Sequence, residues 1–567
     1  MDTINQTFSM NQHAVQEAEK TKLEILEEFK HPMEVNTNLL LKILADNKDT
    51  EYGKKHHFAE IHTIEDYQRL VPVITYDDIG SYTERMANGE KNVLTAYPLD
   101  HMNTTAGTTG FYKLIPFTSE LAKSFVRYNK HWIDALKGEQ LDFAWMEGRA
   151  FCTSEGTCTK RESGITIGCA SSKMAEYIRG GADALDAILR ILYTSPYEAT
   201  NPAPQSDSKY LHVRFAMMDK NITGIVTGFY SQIAQIFQYI AGNYKMLIHD
   251  IATGTIDPSI DLPDDVRESI LRKIQPMPER AAELEEIFKD GADHCFVPQI
   301  WPKLMYMYGV GGDGFSIYDR TMKERFTNNC VKNIYAGVNA SEGIWSIPVK
   351  LDMEDGALAP GSAFMEFLPV DADGDYSKIV TMDKLEVGQT YELVITNLAG
   401  FYRYRMSDAV QVTGFYEKTP LVRFMFRVNR VISMVNEKIT EHALQNVVEA
   451  TSKKLGFDLA DFNVYPNYDG DLPRYNFLIE PRNVVENITR EQLEDALFEE
   501  IYKLPRFSVF YDGGKLGKPE VWWLQPESNM LYRDIMVYRG APANQLKPVR
   551  GILNEKQRKF FFALREF

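Results

Sequence analysis

Apolar and polar positions repeat along this chain with two periods, which distinguishes predicted helices from predicted strands. Over residues 11–45 apolar side chains recur at helical spacing, and Pro32 interrupts the pattern, so we predict a helical entrance to the fold. Residues 70–78 predict an extended segment leading into a helix. Further strands are predicted at residues 224–226, 332–336, 363–369, 390–396 and 409–415, and helices at residues 184–192 and 279–288.

The order of these elements predicts an α/β fold with more than one domain. Early strands alternate with helices, whereas residues 350–415 are strand-rich and interrupted by Gly and Pro, which favours a small antiparallel or barrel-like part. After Phe426 a new α+β unit begins, with helices at residues 441–454 and 489–502 and strands at residues 462–465 and 475–480. We therefore predict a large, multi-subdomain amino-terminal domain of mixed sheets over residues 1–426 and a smaller α+β carboxy-terminal domain over residues 432–567.

One uncharged run requires a test for membrane insertion. Residues 221–244 lack charge and are long enough to span a bilayer, but they contain three glutamines at a spacing of three, which are costly in lipid. We interpret the run as a buried helix. It either packs entirely within the core or lines a polar-mouthed pocket, and the sequence leaves both options open.

Composition and charge exclude several classes of partner. The formal net charge is −17 and no long basic run occurs, which argues against a nucleic-acid surface. Five cysteines are spread without a CxxC pair, and the first 20 residues lack the apolar core of a signal peptide, so a cytoplasmic protein without a membrane segment is expected. We expect small-molecule partners. The oligomeric state stays open, and a monomer is compatible with the sequence.

Residues 103–113 have the composition of a phosphate-binding loop. Gly lets the backbone approach phosphates closely, Thr offers hydroxyls, and backbone N–H groups can hold a triphosphate. The spacing is not that of a Walker A loop, and a polar turn is the alternative interpretation. The candidate nucleotide-binding residues here are Thr104, Thr105, Gly107, Thr108, Thr109, Gly110 and Lys113.

Three motifs follow this loop in order, at residues 339–343 (Asn-Ala-Ser-Glu-Gly), 402–408 (Tyr-Arg-Tyr-Arg-Met-Ser-Asp) and 427–430 (Arg-Val-Asn-Arg). With the loop, they resemble the adenylate-forming superfamily, and in particular the Gretchen Hagen family of auxin-responsive acyl acid amido synthetases. The resemblance extends through most of the chain. It implies an adenylate-forming architecture and a ligase that activates a carboxylic acid with ATP and Mg²⁺, then transfers the acyl group to an amino acid or another amine.

The resemblance also implies roles for individual residues. Ser341 and Glu342 are expected at the nucleotide, and Glu342 is expected to bind Mg²⁺, which prefers oxygen ligands. Asp408, predicted to follow a loop and precede the strand at residues 409–415, is expected to accept hydrogen bonds from the ribose hydroxyls. Arg427 is expected to contact the ribose, and residues 427–431 to form the hinge between the two domains.

A lysine of the small domain is expected to stabilise the adenylation transition state, with Glu342 as the second catalytic residue. Our candidate is Lys547, because its segment resembles the family's Asn-Gln-x-Lys-x-Pro; Lys515 and Lys518 are its rivals. The chain departs from the family pattern at Ala106, where a serine is common, and at Ser407, which replaces a glycine. Neither change removes a charged group from the proposed mechanism.

The substrate acid is not determined by the nucleotide motifs, because specificity depends on pocket shape. We place Phe229, Tyr230 and Trp345 in the walls of the acyl pocket. Two alternative functions remain. A ligase that transfers the acyl group to the thiol of coenzyme A would share the adenylation step, and a catalytically silent nucleotide-binding homologue would share only the fold.

Overall fold

The structure is a computed structural model. It describes residues 2–104, 113–153, 158–170, 173, 191–200, 208–311, 322–372, 374–428, 431–435, 437, 439–539, 546, 548–552 and 554–566. The described chain forms two compact units. The first contains the residues up to 424 apart from 407–409, and the second contains residues 407–409 and those from 425 onward.

The helices of the first unit begin at residues suited to a helix amino terminus. Pro32 occupies the first turn of α2, where its missing N–H costs nothing, and the Thr63 hydroxyl accepts a hydrogen bond from the backbone N–H of Asp66 at the start of α4. The helices are α1 (Asp2–Glu28), α2 (Pro32–Asn47), α3 (Glu51–Lys55), α4 (Ile64–Leu70), α5 (Tyr76–Ala87), α6 (Ser119–Phe125), α7 (Trp132–Gln140), α8 (Tyr197–Thr200), α9 (Ser208–Met218), α10 (Tyr230–Thr253), α11 (Asp264–Leu271), α12 (Pro278–Ile287) and α13 (Val297–Ile300).

The strands of this unit form three main sheets and one hairpin. The strands are β1 (Leu99–Thr104), β2 (Leu114–Thr118), β3 (Ala150–Cys152), β4 (Cys158–Lys160), β5 (Thr166–Gly168), β6 (Gly224–Phe229), β7 (Tyr306–Val310), β8 (Lys332–Tyr335), β9 (Asn339–Ala340), β10 (Gly343–Ile344), β11 (Ser346–Pro348), β12 (Gly356–Leu358), β13 (Ala363–Pro369), β14 (Val380–Thr381), β15 (Thr390–Asn397), β16 (Tyr404–Tyr416) and β17 (Thr419–Arg427). The sheet orders are β2-β1-β5-β4, β3-β6-β7-β8 and β11-β12-β17-β16-β15-β13-β14, and β9 and β10 form the hairpin.

Pairing direction agrees with burial in these sheets. The β3-β6-β7-β8 sheet is parallel throughout, and its residues Ile225, Met307 and Ile334 are completely buried, as expected for a parallel sheet covered on both faces. In the seven-stranded sheet, β13 pairs antiparallel with both β14 and β15. The antiparallel part predicted after residue 350 therefore exists as this sheet.

The second unit is a smaller α+β structure with its own apolar core. Its four-stranded sheet has the order β20-β21-β22-β23, and β21 pairs antiparallel with β20 and parallel with β22. Its elements are β18 (Val431–Ile432), β19 (Ile439–Thr440), α14 (Glu441–Leu455), β20 (Leu459–Asn467), β21 (Arg474–Pro481), α15 (Arg490–Tyr502), α16 (Pro505–Asp512), β22 (Glu520–Leu524), α17 (Ser528–Tyr538), α18 (Glu555–Ala563) and β23 (Arg565–Glu566).

Most predicted elements are present within one to three residues of their predicted ends. The helical entrance is α1 and α2, separated at Pro32. The extended segment predicted over residues 70–78 is shorter, because α4 ends at Leu70 and α5 already begins at Tyr76. The strands predicted at residues 332–336, 363–369 and 390–396 are β8, β13 and β15. The helix predicted at residues 184–192 falls mostly outside the described residues.

The prediction of one buried helix over residues 221–244 was wrong. Its first part is strand β6, and helix α10 begins only at Tyr230 and continues to Thr253. Ile222, Thr223, Ile225, Val226 and Thr227 are β-branched, which favours a strand over a helix. The change of structure is capped by a side chain: Gln232 Oε1 accepts hydrogen bonds from the N–H groups of residues 228 and 229, at 2.9 and 3.1 Å.

That correction bears on the membrane test. Across the described part of the chain, none of the helices has the length and apolar character needed to cross a membrane.

The prediction that Asp408 follows a loop was also wrong, because strand β16 begins at Tyr404 and includes Asp408. The Arg405 guanidinium is neutralised by Glu392 on β15, with Nη2 to Oε2 at 2.7 Å, so the charge is tolerated within the sheet. Ser407 has a φ of 61°, a left-handed conformation that glycine, the residue expected here from the family pattern, adopts more readily.

Candidate active site

The two ends of the predicted phosphate loop lie side by side in one sheet. β1 and β2 are antiparallel neighbours, and Thr104 at the end of β1 is paired with Leu114 at the start of β2. The Thr104 hydroxyl donates to the carbonyl of Gly168 on β5, at 3.2 Å. The loop therefore leaves and re-enters the sheet at one point. Its predicted residues Thr105, Gly107, Thr108, Thr109 and Gly110 lie outside the described residues.

A neutral histidine lies on β1, three residues before Thr104. His101 on β1 is completely buried, and its Nδ1 lies 2.7 Å from the hydroxyl of Thr166 on β5. Burial, together with the positive charge of Lys173, lowers the pKa of His101 to about 4. The imidazole is therefore uncharged near neutral pH and contributes no cation to phosphate binding.

Lys113, at the re-entry point, contacts the motif at residues 402–408. Its Nζ donates to the hydroxyl of Tyr404 at 2.9 Å and lies 5.4 Å from the ring centre of Tyr76. The Tyr76 hydroxyl in turn accepts a hydrogen bond from the N–H of Leu114, at 2.7 Å. Two tyrosines thus hold the predicted phosphate-binding cation beside the end of the loop.

The motif at residues 339–343 forms the β9-β10 hairpin and its turn. Ala340 pairs with Gly343, so Ser341 and Glu342 are the two residues of the turn. The Asn103 Nδ2 donates to the carbonyl of Ser341 at 2.9 Å, and Asn103 immediately precedes the loop. The structure therefore brings the first two motifs together through backbone and side-chain contacts. The Glu342 side chain is buried within this turn.

Arg403, in the motif at residues 402–408, has a structural role. Arg403 is buried, has a φ of 45°, and forms an ion pair with the completely buried Glu366, with Nε to Oε2 at 3.0 Å. Its Nη1 also donates to the carbonyls of Gln68 and Val71. These contacts fix the residue that precedes Tyr404, and so the hydroxyl that accepts from Lys113.

Asp408 and Arg427 meet each other in the second unit. Arg427 Nε donates to Asp408 Oδ1 at 2.7 Å; the carboxylate is buried and the guanidinium is about one-third exposed. The sequence placed both residues at the ribose, and the structure shows that they form one ion pair. Asn429 and Arg430, next in that motif, lie outside the described residues.

The three guessed wall residues of the acyl pocket are not all in one apolar cluster. Tyr230 is completely buried with its hydroxyl donating to the carbonyl of Met307 at 2.9 Å, and its ring centre lies 5.0 Å from that of Tyr335. Phe229 is half-buried at the end of β6. Trp345 is completely buried in a different cluster, the one that also contains Tyr402 and Tyr404.

Residues that could hold a metal are few, and they suit Mg²⁺ bound mainly by phosphates. Among the residues that the structure describes, no group of three or more His, Cys, Asp or Glu could hold a metal ion. Mg²⁺ needs only one or two carboxylates when phosphates and water complete its shell. Glu342 is the carboxylate that the sequence predicted for this role. The buried Oδ1 of Asn103 has no hydrogen-bond partner and is an acceptor suited to metal-bound water.

Of the three candidate lysines, the structure describes Lys515 and Lys518. Lys547 lies outside the described residues. Lys518 donates to Asp495 at 2.7 Å, and Lys515 Nζ lies 5.7 Å from the ring centre of Phe510, so both contact side chains of their own unit.

Comparison with known proteins identifies the family. The model of the GH3 family N-terminal domain matches residues 22–331, that of the GH3 family central domain matches residues 356–427, and that of the GH3 family C-terminal domain matches residues 442–556. The chain belongs to the GH3 family. The expected family is thereby confirmed.

Individual relatives of this GH3 chain agree over most of its length. The indole-3-acetic acid-amido synthetase GH3.8 of Oryza sativa subsp. indica is 27% identical over 574 residues, covering 95% of this chain and 91% of the relative. The solved structure of the GH3.15 acyl acid amido synthetase matches with a TM-score of 0.83 at 22% identity, covering 96% of both chains. A 2-hydroxyisobutyryl-CoA ligase in the postadenylation state matches with a TM-score of 0.50 at 12% identity, covering 96% of this chain and 91% of that one. The predicted α/β adenylate-forming architecture, with a large amino-terminal and a smaller carboxy-terminal domain, is therefore confirmed.

Sequence reasoning missed the polar residues that support this GH3 site. Asn103 was quoted in the loop motif without a role, and Asn397, whose Nδ2 donates to the carbonyl of Glu342 at 2.9 Å, was not noticed. Tyr76 was treated only as part of an extended segment. Asn103 could have been found from its position directly before the loop, whereas nothing in the local sequence distinguishes Asn397.

Proposed function

We propose that this protein is an ATP-dependent acyl acid amido synthetase. The substrate carboxylate attacks the α-phosphorus of ATP, pyrophosphate leaves, and an acyl-adenylate forms. The nitrogen of an amino acid or another amine then attacks the acyl carbon and loses a proton to solvent, and AMP leaves with the bridging anhydride oxygen, which came from the substrate carboxylate. The observation that carries this proposal is the convergence of three distant motifs at the loop ends, through the Asn103–Ser341 and Lys113–Tyr404 hydrogen bonds, each 2.9 Å long.

Different residues of the loop and its surroundings contribute hydrogen-bond donors, positive charge and a metal-binding carboxylate to triphosphate binding. Thr104, Thr105, Gly107, Thr108, Thr109 and Gly110 supply hydroxyls and backbone N–H groups. Lys113 supplies positive charge near the phosphates, and Tyr404 and Tyr76 orient it. Ser341 contacts the nucleotide beside Glu342, which holds Mg²⁺. When bound, the metal neutralises charge that develops on the departing pyrophosphate.

Two further residues contact the ribose in this proposal. Asp408 accepts hydrogen bonds from the ribose hydroxyls, and Arg427 supports it through their ion pair. Residues 1–426 form the large domain that binds ATP and the acid, residues 427–431 form the hinge, and residues 432–567 form the mobile domain. Phe229, Tyr230 and Trp345 remain proposed contacts of the acid. A cytoplasmic location belongs to the same proposal and rests on the cysteine pattern of the sequence.

Lys547 stabilises the transition state of adenylation electrostatically. Loss of one such contact typically costs about two to three orders of magnitude in rate. We therefore expect Lys547→Ala to lose most acid-dependent pyrophosphate release while ATP binding, followed by calorimetry, stays nearly intact. Lys515→Ala and Lys518→Ala are the matched controls from the same domain. Unchanged turnover in Lys547→Ala, with a large loss in either control, would transfer the role to that control residue.

A product assay tests the reaction itself. The protein is incubated with ATP, Mg²⁺ and a panel of carboxylic acids, together with either amino acids or coenzyme A, and the products are identified by mass spectrometry. We expect an amide together with AMP and pyrophosphate. A thioester without an amide would identify a CoA ligase instead. ATP binding without pyrophosphate release for any acid would identify a catalytically silent protein. The same panel determines the acid.

A further inference from the structure

The Ser341–Glu342 turn has little intrinsic stability. Its hairpin has only two residues in each strand, and short isolated hairpins are marginal in water. Neither turn residue has a positive φ, although the favoured turns of two-residue hairpins need one. The position of the Glu342 carboxylate therefore depends on contacts made with the turn from other elements.

Two buried asparagines supply those contacts. Asn103, from the end of β1, donates through Nδ2 to the carbonyl of Ser341, and Asn397, from the end of β15, donates through Nδ2 to the carbonyl of Glu342, each at 2.9 Å. Their residues are 0% and 1% exposed. Each carbonyl of the turn is thus held by an amide from a different sheet, and we call these two residues the amide clamp.

Both members of the amide clamp are themselves fixed. Asn397 Oδ1 accepts hydrogen bonds from the N–H groups of Ala399 and Phe401, at 3.1 and 3.0 Å. Asn103 is held by strand pairing, opposite Ile115 on β2 and Gly168 on β5. The side chain of Asn397 and the backbone of Asn103 are therefore held by their own elements, and the two hydrogen bonds connect the turn to two strands.

Asn103 also connects the turn to the loop in the covalent chain. It directly precedes Thr104, where the proposed phosphate loop begins. A shift of the turn therefore has to move the start of the loop or break the Asn103 hydrogen bond. A Mg²⁺–ATP site would need the carboxylate and the phosphate loop to be positioned together, because Glu342 would hold the metal while the loop would hold the phosphates.

We propose that Asn103 and Asn397 are positioning residues that hold Glu342 for the metal of Mg²⁺–ATP. This inference rests on the proposed function, since it assigns a task to the carboxylate that the function needs. It predicts a specific signature: loss of either amide weakens the affinity for ATP with Mg²⁺ and has little effect on the affinity for ATP without the metal.

The test compares three alanine variants by calorimetric titration of ATP, with Mg²⁺ and with a chelator. Asn103→Ala and Asn397→Ala each remove one amide of the clamp. Asn36→Ala is the matched control, because Asn36 is also 0% exposed and donates through Nδ2 to two backbone carbonyls, at 2.7 and 2.6 Å, on a different part of the same unit. Thermal unfolding of each variant reports general destabilisation.

We expect both clamp variants to bind Mg²⁺–ATP about tenfold more weakly, the effect of one lost hydrogen bond, with less than about a twofold change in the chelator. Asn36→Ala is expected to lower the unfolding temperature while binding Mg²⁺–ATP like the wild type. A second measurement uses Glu342→Gln as background. Adding Asn397→Ala to it should weaken Mg²⁺–ATP binding no further, because the carboxylate that the clamp positions is absent.

Each contrary outcome has one meaning. Equal weakening with and without the metal, or equal weakening in Asn36→Ala, overturns the clamp while leaving the proposed function standing. Fully additive losses in the double variant also overturn it. If one clamp variant does not fold, the other carries the test, because each amide makes its own contact with the turn. A wild-type protein that binds no ATP overturns the clamp and the proposed function together.

Discussion

Glu480 provides a stability prediction whose size can be calculated from the structure. It lies on β21, is 4% exposed, and accepts two hydrogen bonds through Oε2 from Asn529, at 2.9 Å from the backbone N–H and 2.7 Å from Nδ2. Burial, and then the charge of Asp461, raises the pKa of Glu480 from 4.5 to about 7. The folded protein thus prefers Glu480 in its neutral form.

The sign of the pH dependence follows from that shift. Below about pH 4.5 the carboxyl is protonated in both states and favours neither. As the pH rises through 4.5 the unfolded chain loses its proton first, so the folded state loses stability until about pH 7, where its own carboxyl ionises. The full penalty is roughly 3 kcal/mol, of which about 1 kcal/mol is already present at about pH 5.5. About 2 kcal/mol therefore separates pH 5.5 from pH 8.

The perturbation is Glu480→Gln, which keeps an oxygen acceptor for Asn529 and removes the ionisation. We expect the variant to gain stability relative to the wild type as the pH rises: the difference in unfolding free energy, variant minus wild type, should be roughly 2 kcal/mol more positive at about pH 8 than at about pH 5.5. Urea unfolding followed by the fluorescence of Trp522 and Trp523, on the neighbouring β22, measures it. The exposed Glu486→Gln is the control. A pH-independent difference, or one of opposite sign, would refute the reasoning.

Two further predictions concern the candidate site. Tyr404→Phe removes the hydroxyl that accepts from Lys113, so we expect the KM for ATP to rise about fivefold with kcat within about twofold, measured by steady-state pyrophosphate release; an unchanged KM would contradict the positioning of the lysine. Asp408→Asn removes the partner of Arg427, and we expect roughly 1 kcal/mol of lost stability in urea unfolding, together with weaker ATP binding by calorimetry. Wild-type affinity in this variant would count against the ribose role, whatever the stability change.

Local pattern was a reliable guide where one face or both faces of an element are apolar. The break at Pro32 and the strand at residues 363–369 were predicted correctly, because proline chemistry and continuous burial appear directly in the sequence. The pattern failed where a residue distant in the chain stabilises a local structure that the local sequence does not favour. A loop was predicted before Asp408, but these residues are part of β16, where Arg405 pairs with Glu392, thirteen positions earlier on β15.

The sequence alone indicated the family and the order of the motifs that resemble it. Glycine-rich loops, acidic ligands and a late lysine keep their chemistry wherever they lie, so their order was sufficient to indicate the family that the domain matches identify. It could not determine how the motifs are supported, because support comes from residues that are far apart in the chain. Asn103 reaches Ser341 across 238 positions, and Lys113 reaches Tyr404 across 291.

Only the tertiary structure decided that the Glu342 turn is held from two sheets and that Asp408 lies inside a strand paired with Arg427. The physical reason is that a hydrogen bond depends on position in space and leaves no periodic trace along the chain. The sequence does not distinguish an asparagine that holds a buried turn from an asparagine on the surface, because both have the same side-chain donors and acceptor. The sequence was sufficient to propose the charged residues of this site, whereas the contacts of Asn103 and Asn397 with the Glu342 turn are visible only in the folded structure.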